Sequence, residues 1–335
     1  MEKIPLEVRT EGLYCTAGNF YIDAYQPVET CVVTHAHGDH AYRGHQRYIV
    51  TEDTADLLEY RLGKDLPFLR LPYNQPLKLD QCWISLHPAG HILGSAQVRI
   101  ETKEGVFVVS GDYKRAHDST CLPFEVIPCD LFITENTFGL PLFKWEDSEV
   151  TAEKIAAWWN SNKIFDRPSV LFCYALGKAQ RILSLLKSHT NQPIYLHGAI
   201  QPLTEIYFRK GVPMAPFLPV SSKPKEESFS KDLILAPPSA AGTPWLKRFP
   251  HFRTAAASGW MQVRGTRKRK GMDAGFVLSD HADWGSLLET IEATGAKTVL
   301  MTHGYSTPLS RYLREKQGIE AYELRGLEIR ESEEE

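Results

Sequence analysis

The stretch Thr34-His35-Ala36-His37-Gly38-Asp39-His40 decides how this chain is read. Three imidazoles and one carboxylate fall between His35 and His40. The residues before them, Thr30-Cys31-Val32-Val33-Thr34, are mostly β-branched and apolar, so they read as a buried strand. The cluster therefore sits where a strand gives way to a loop or helix. A lone histidine is ordinarily a surface residue or a hydrogen-bonded core residue. Several such polar groups at one strand end are costly to bury unless a cation or hydrogen bonds satisfy them. Imidazole nitrogens and carboxylate oxygens are the donors that Zn²⁺, Mn²⁺ or Fe prefer. Side chains so closely spaced on one loop cannot easily converge on a single tetrahedral ion, so the spacing suits two adjacent ions better.

Working outward, the bulk composition is that of an ordinary globular protein. The chain has 335 residues, 43% hydrophobic and 24% charged, enough for one large core or two modest ones. Its net charge of −3 excludes a globally basic nucleic-acid binder, so any polyanion site has to be local. The cysteines (Cys15, Cys31, Cys82, Cys121, Cys129, Cys173) are scattered, with no C-x-x-C pair, and read as reduced core residues of a cytoplasmic protein. The start, Met1-Glu2-Lys3-Ile4-Pro5, lacks the apolar region of a signal peptide. No apolar run approaches the roughly 18–20 residues of a membrane span, so no membrane partner is expected.

Residues 13–15 and 19–23 read as a hairpin around Gly18, closed by Asp23. Residues 51–62 read as a helix with Thr or Asp at its start. Strands at 75–79 and 82–86 lead into His87-Pro88-Ala89-Gly90-His91-Ile92-Leu93-Gly94. Glycines on both sides of His91 allow the backbone close to a site, so His91 is favoured over His87 as a further ligand. Val106-Phe107-Val108-Val109 runs into Ser110-Gly111-Asp112, and Leu131-Phe132-Ile133-Thr134 ends in Glu135. Strand after strand thus ends in a polar residue, which suggests one sheet edge lined with site groups.

Residues 146–270 differ in character. Strands at 169–173 and 193–198 are followed by helices at 177–183 and 204–209, the alternation of a small parallel α/β layer. A further strand covers 232–236, and 221–227 reads as an exposed loop. Arg264-Gly265-Thr266-Arg267-Lys268-Arg269-Lys270 is the most basic stretch, a solvated loop or a contact to a phosphate backbone. The first pattern then returns. A strand at 275–279 ends in Asp280-His281, a helix covers 284–294, and a strand at 297–302 ends in His303. The acidic tail, 331–335, reads as frayed.

Taken together, the chain resembles the β-CASP group of metallo-β-lactamase-fold nucleases. Asp23, the set His35, His37, Asp39 and His40, then His91 and Asp112 follow its core motifs in order. Glu135, His281 and His303 fit the further motifs of the β-CASP branch. Tyr174-Ala175-Leu176-Gly177-Lys178-Ala179-Gln180 is similar to the Phe-Ala-x-Gly-Arg-x-Gln segment that opens the inserted domain, departing at Tyr174 and Lys178. The resemblance implies an α/β fold: a metallo-β-lactamase αββα sandwich from 1–145 and 271–335, with a small α/β β-CASP domain, 146–270, inserted.

It also implies roles. His35, His37 and His91 would hold one divalent ion, zinc or manganese, and Asp39, His40 and His303 the second, with Asp112 between them. Asp23 would orient the metal loop. Activated water would attack phosphorus in line, with His281 serving the leaving oxygen and Glu135 holding its tautomer. The helix start at Gly177, with Lys178, would receive a phosphate. On their charge alone, Arg264, Arg267, Lys268, Arg269 and Lys270 of the basic run are the further candidates for a phosphate contact. Length and the compact insert look most like the bacterial ligase-associated DNA exonucleases, which implies DNA as substrate and a ligase or helicase as partner. His303 points the other way, toward the RNA-directed members, so a ribonuclease is the alternative. A small-molecule metallohydrolase fits less well with the insert, the basic run and His281.

Overall fold

The strand that leads into the His-rich loop, Thr30–Val32, lies inside a six-stranded sheet. The computed structural model describes residues 4–324, and the tail at 331–335 lies outside them. The sheet runs Leu6–Arg9, Gly12–Cys15, Phe20–Ile22, Thr30–Val32, Arg47–Val50, Phe68–Arg70 in spatial as in chain order. The expected hairpin is present: Gly12–Cys15 and Phe20–Ile22 pair antiparallel, with Cys15 opposite Phe20. From Phe20–Ile22 onward the pairing is parallel, so strand ends collect on one edge. The helix Glu52–Leu62 starts at Thr51, whose hydroxyl accepts the Thr54 N–H at 3.2 Å, and buries Ala55, Leu57 and Leu58.

A second, seven-stranded sheet has the order Glu320–Glu323, Thr298–Thr302, Leu131–Glu135, Gly105–Val109, Ala96–Thr102, Cys82–Pro88, Leu77–Leu79. Alternation along its strands sends side chains to two faces. Phe107, Val109, Leu131 and Ile133 join Ile84 and Val98 in a core with Ile22, Val32 and Ile49 of the first sheet. Val108, Phe132, Val299 and Met301 pack on the other face with Leu287 and Ile291 of the helix Trp284–Thr294 and Leu309 of the helix Ser306–Tyr312.

Both sheets belong to one compact unit, formed by residues up to Phe143 and from His281 onward; Lys144–Asp280 forms the other. That second unit holds a six-stranded sheet in the order Phe217–Pro219, Ile194–Leu196, Leu233–Ala236, Ser169–Phe172, Arg253–Ala257, Ala274–Phe276. Every pairing in it is parallel. A parallel sheet needs both faces covered. Leu171, Leu235 and Ala255 pack with Ile155 and Trp159 of the helix Ser148–Ile164 and with Ile182 of the helix Lys178–Leu185. Val170, Ile234 and Ala256 pack with Phe229 and Phe249.

Two of these strands, Phe217–Pro219 and Arg253–Ala257, and the helix Ser148–Ile164 go beyond the reading of the sequence. Arg253–Ala257 is mostly alanine, with little strand propensity of its own, and is fixed by pairing between Ser169–Phe172 and Ala274–Phe276. Because Ala274–Phe276 pairs inside the second unit, the expected break after residue 270 falls within that unit rather than at its end. The six cysteines are free thiols, all buried except Cys121, which is half-buried. Among the described residues no helix is long and apolar enough to cross a membrane.

Candidate metal centre

The parallel register of the first unit brings its polar strand ends together. Ile22 is opposite Val32, so Asp23 lies beside the start of the His-rich loop. Val109 is opposite Ile133, and Glu135 opposite Thr302, so Asp112, Glu135 and His303 leave the second sheet at the same end. Two of these residues take left-handed backbone conformations, Asp23 at φ 47° and His303 at φ 58°. Asp and His tolerate that region better than most residues, yet the conformation still has to be held by its surroundings. Gly111 is required for close approach: at φ +57° a Cβ there would sit 2.7 Å from Cβ of Thr34.

Asp112 is the centre of the cluster. Its Oδ2 lies 3.5 Å from Nε2 of His35, 3.4 Å from Nε2 of His40 and 3.8 Å from Nε2 of His91. His37 closes the first group, with Nδ1 3.1 Å from Nε2 of His91. One donor atom from each of His35, His37, His91 and Asp112 falls within 4.8 Å of all the others; the same holds for Asp39, His40 and Asp112, and for Asp112, Glu135 and His281. His303 stands beside these groups, its ring stacked on His40 at 5.4 Å between centroids and 23° between planes.

The ring nitrogens are presented by a second layer of hydrogen bonds. Asp23 accepts the Thr34 backbone N–H at 2.7 Å and the Thr34 hydroxyl at 2.7 Å, and its Oδ2 lies 2.8 Å from Nδ1 of His40. The Thr34 hydroxyl proton is thereby committed to Asp23. Its oxygen is left to accept Nδ1–H of His35 at 3.0 Å. Both rings thus turn Nε2 toward Asp112, and neither Nε2 has a hydrogen-bond partner although both are buried. Orphaned, oriented imidazole nitrogens around a buried carboxylate fit a divalent cation.

The electrostatics agree with that fit. Burial, then the positive charge of His40, holds His35 well below the ordinary imidazole range, so it keeps a bare lone pair. Burial opposes charge on His40 too, but Asp112, Asp39 and Asp23 outweigh it and hold His40 well above that range. Burial also opposes ionisation of Asp112, and His40 and His281 outweigh it, so its carboxyl stays well below the usual range. The pocket favours a carboxylate with positive charge against it. His303 is lowered, by burial and then by His40.

His281 also reaches the cluster, its ring 4.7 Å from that of His91 between centroids. Its Nδ1 lies 2.8 Å from Oε2 and 3.0 Å from Oε1 of Glu135. Glu135 is itself fixed, accepting the Tyr113 backbone N–H at 2.7 Å and the Thr137 hydroxyl at 2.7 Å. As an acceptor-only group it selects the Nδ1–H form of His281 and leaves Nε2 for chemistry.

Several expectations need correction. Lys178 does not face a ligand: it is buried, with Nζ 2.8 Å from Oδ2 of Asp280. The Gly177 N–H is taken by Oε1 of Gln180 at 2.7 Å, so this helix start offers no free phosphate cradle. In keeping with the preference for His91, His87 is absent from these donor groups, with Nε2 2.8 Å from the Ser85 hydroxyl and Nδ1 3.1 Å from Glu125. In the basic run the short helix Thr266–Arg269 replaces the expected loop, and Arg264, Arg267, Lys268, Arg269 and Lys270 are exposed. Arg267 donates to the Asp273 carbonyl at 3.0 Å and Arg269 to the Thr266 hydroxyl at 2.9 Å. Sequence reasoning missed Thr34, which orients both His35 and Asp23. It also missed Arg61, which donates to the Ala36 carbonyl at 2.5 Å and pins the His-rich loop. Nothing in residue type separates either from a routine strand or helix residue.

Fold and site together define a mixed α/β protein with a buried His/Asp centre able to hold divalent ions. No protein-family model matches the chain. The chain is similar to a protein named "Probable DNA ligase" from Opitutus terrae, 33% identical over 324 residues, which covers 96% of this chain and 31% of that one. It is also similar to an "RNase J-like protein" from Methanocaldococcus jannaschii, 26% identical over 211 residues, covering 54% of this chain and 50% of the relative. The chain therefore spans half or less of the length of these relatives. Among solved structures, a protein of unknown function from Enterococcus faecalis V583 aligns with a TM-score of 0.59 at 11% identity, over 90% of this chain and 80% of that one. That likeness concerns the fold alone.

Proposed function

We propose that this chain is a β-CASP metallo-β-lactamase-fold nuclease, a metal-dependent phosphodiesterase that trims DNA from an end during repair or end processing. One observation carries the reading: a single Asp112 oxygen faces Nε2 of His35, His40 and His91 at 3.4–3.8 Å, between two sets of donors. His35, His37 and His91 would hold one ion; Asp39, His40 and His303 would hold the other. Two such ions, zinc or manganese, supply Lewis acidity toward a phosphoryl oxygen and acidify water near neutral pH.

The chain's own groups do the rest. Asp23 and Thr34 keep His35 and His40 in the tautomer that presents Nε2. Asp112 keeps both donor sets in one orientation. Glu135 takes up Nδ1–H of His281, so that Nε2 of His281 can hold a proton for the departing oxygen. The exposed cations of the 264–270 run add a local attraction for a phosphate backbone on a chain of net charge −3. The near full-length match within a relative named as a DNA ligase supports a place beside strand joining, with a ligase or helicase as partner. A ribonuclease is the second reading, favoured by the RNase J-like relative and by His303 stacked on His40.

The test is cleavage of end-labelled single-stranded DNA and of the matched RNA, after chelation and add-back of Zn²⁺ or Mn²⁺. Metal-dependent shortening of DNA from one end, lost in His281→Ala, is the expected result. RNA cleavage with inert DNA moves the chain to the second reading. Cleavage of neither, with metal bound, overturns both.

A further inference from the structure

The second unit contains a cavity of about 260 Å³ that the metal centre does not account for. It opens at the carboxyl ends of three neighbouring strands. Phe172 ends Ser169–Phe172, Ala256 and Ala257 end Arg253–Ala257, and Pro238 follows Leu233–Ala236. The chain leaves Ser169–Phe172 in one direction, past Leu233–Ala236, to reach Ile194–Leu196. It leaves Leu233–Ala236 in the opposite direction, across Ser169–Phe172, to reach Arg253–Ala257. Such a reversal in a parallel α/β sheet opens a crevice at the carboxyl edge, the place where these sheets take ligands.

The lining specifies the ligand. Tyr174 and Met272 offer an aromatic and a soft, polarizable surface, and Ala241, Ala256 and Ala257 add small apolar lining. Tyr174 meets the Lys178 ammonium, 5.3 Å from its ring centroid, and is held from that side. At the rim stands Lys270, the last residue of the basic run. The side chains of Arg264, Lys268 and Lys270 are exposed and, among the described residues, enter no ion pair or hydrogen bond. A wall for a flat, apolar, polarizable group therefore adjoins cations free to meet an anion. One ligand class has both parts in that order, a nucleobase joined to its own phosphate.

Resting on the nuclease reading above, we infer that this cavity is a nucleobase subsite, which takes one unstacked base of a single strand while Lys270 and its neighbours hold the adjoining backbone. Stacking on an aromatic side chain is tolerant of base identity, so the subsite gives grip and register rather than sequence choice. It also gives the exposed basic run a purpose that its charge alone does not: a strand drawn to the cations is anchored one base deep.

The experiment measures binding of the full chain, in chelator so that no cleavage intervenes, to a fluorescein-labelled octamer of deoxythymidine. The comparison is an octamer of the same length whose central positions are abasic. The expected result is about ten-fold tighter binding of the base-containing strand, the size of one stacking contact. Ala241→Trp fills the cavity from its exposed wall and is expected to abolish that preference while leaving abasic binding as it was. Lys270→Ala is expected to weaken both strands alike. No preference in the natural chain, or a preference that survives Ala241→Trp, overturns the inference. If Ala241→Trp does not fold, as judged by its thermal melt, 4-thiothymidine crosslinking of the natural chain decides. Crosslinks to peptides carrying Tyr174 or Met272 support the subsite, and crosslinks found only elsewhere overturn it. Hydrolysis of bis(p-nitrophenyl) phosphate with added Mn²⁺, which needs no base, reports the nuclease reading separately. If it is absent while the base preference persists, the nuclease reading falls and the subsite stands; the reverse overturns the subsite alone.

Discussion

Nδ1 of His281 lies 2.8 Å from Oε2 of Glu135, a buried carboxylate whose oxygens also accept the Tyr113 N–H and the Thr137 hydroxyl. The pair is built as a positioned proton carrier. His281→Ala is expected to cut turnover of a labelled strand by about 10²–10⁴-fold, the usual worth of general acid–base help. Metal content measured after dialysis should be unchanged. Glu135→Gln keeps the shape but adds a donor where His281 needs an acceptor, so it should lower turnover and flatten the pH–rate profile while the KM holds. Equal loss of bound metal in His281→Ala would show that the residue is a ligand instead.

Asp23 bears on metal affinity rather than on the chemical step. It receives Nδ1–H of His40 at 2.8 Å and, through Thr34, sets the tautomer of His35. Asp23→Asn is expected to weaken metal binding by about 10–100-fold in a chelator competition, as removal of such outer partners does. Thr34→Val should give a smaller loss in the same direction, because it removes the acceptor for Nδ1–H of His35 and spares the Asp23–His40 contact. Unchanged affinity in both variants would mean that the rings are oriented by packing alone.

How much of this was legible follows from the kind of signal each residue carries. The convergence of His35, His37, His40, His91 and Asp112 could be read because polar groups of one chemical type ended apolar strands, and a parallel register collects such ends. Thr34 carried no comparable signal, since a threonine closing a strand looks the same whether or not it orients an imidazole. Lys178 was misread because its neighbour Gly177 suggested an open helix start. Asp280, which also pairs with Arg181 from 99 positions away, cannot be assigned to it by local pattern. Arg253–Ala257 was invisible for a related reason: its alanines become a strand only through partners distant in the chain. Local chemistry was readable, and long-range pairing was not.

The buried pairing of Lys178 and Arg181 with Asp280 makes a prediction that a phosphate site would not. Lys178 Nζ is 2.8 Å from Oδ2 of Asp280, Arg181 Nη1 is 3.2 Å from Oδ1, and Arg181 also donates to the Ser148 hydroxyl at 2.6 Å. Asp280→Ala leaves two cations buried without their anion and is expected to destabilise the fold by about 3–5 kcal/mol in urea unfolding. Lys178→Met should lower stability by less. It should leave the salt dependence of DNA binding unchanged, whereas a residue that contacts phosphate would reduce the slope.

His45 gives the chain a pH-dependent stability distinct from metal binding. It is buried, its Nδ1 accepts the Val28 N–H at 3.3 Å, and burial lowers its pKa from 6.5 to about 4. Between those values the unfolded chain binds a proton that the folded chain refuses. Stability therefore rises with pH through the window and is lost on acidification from about 6.5 toward 4. Between pH 7 and pH 4.5 that shift is worth about 2–3 kcal/mol. His45→Asn keeps an acceptor for Val28 and removes the titration. The measurement is the difference in urea unfolding free energy between pH 7 and pH 4.5, in chelator, for both proteins, so that protons taken up by the metal-site histidines cancel. The natural chain should lose more stability than the variant by about that amount, and equal losses would show that His45 titrates normally in the fold.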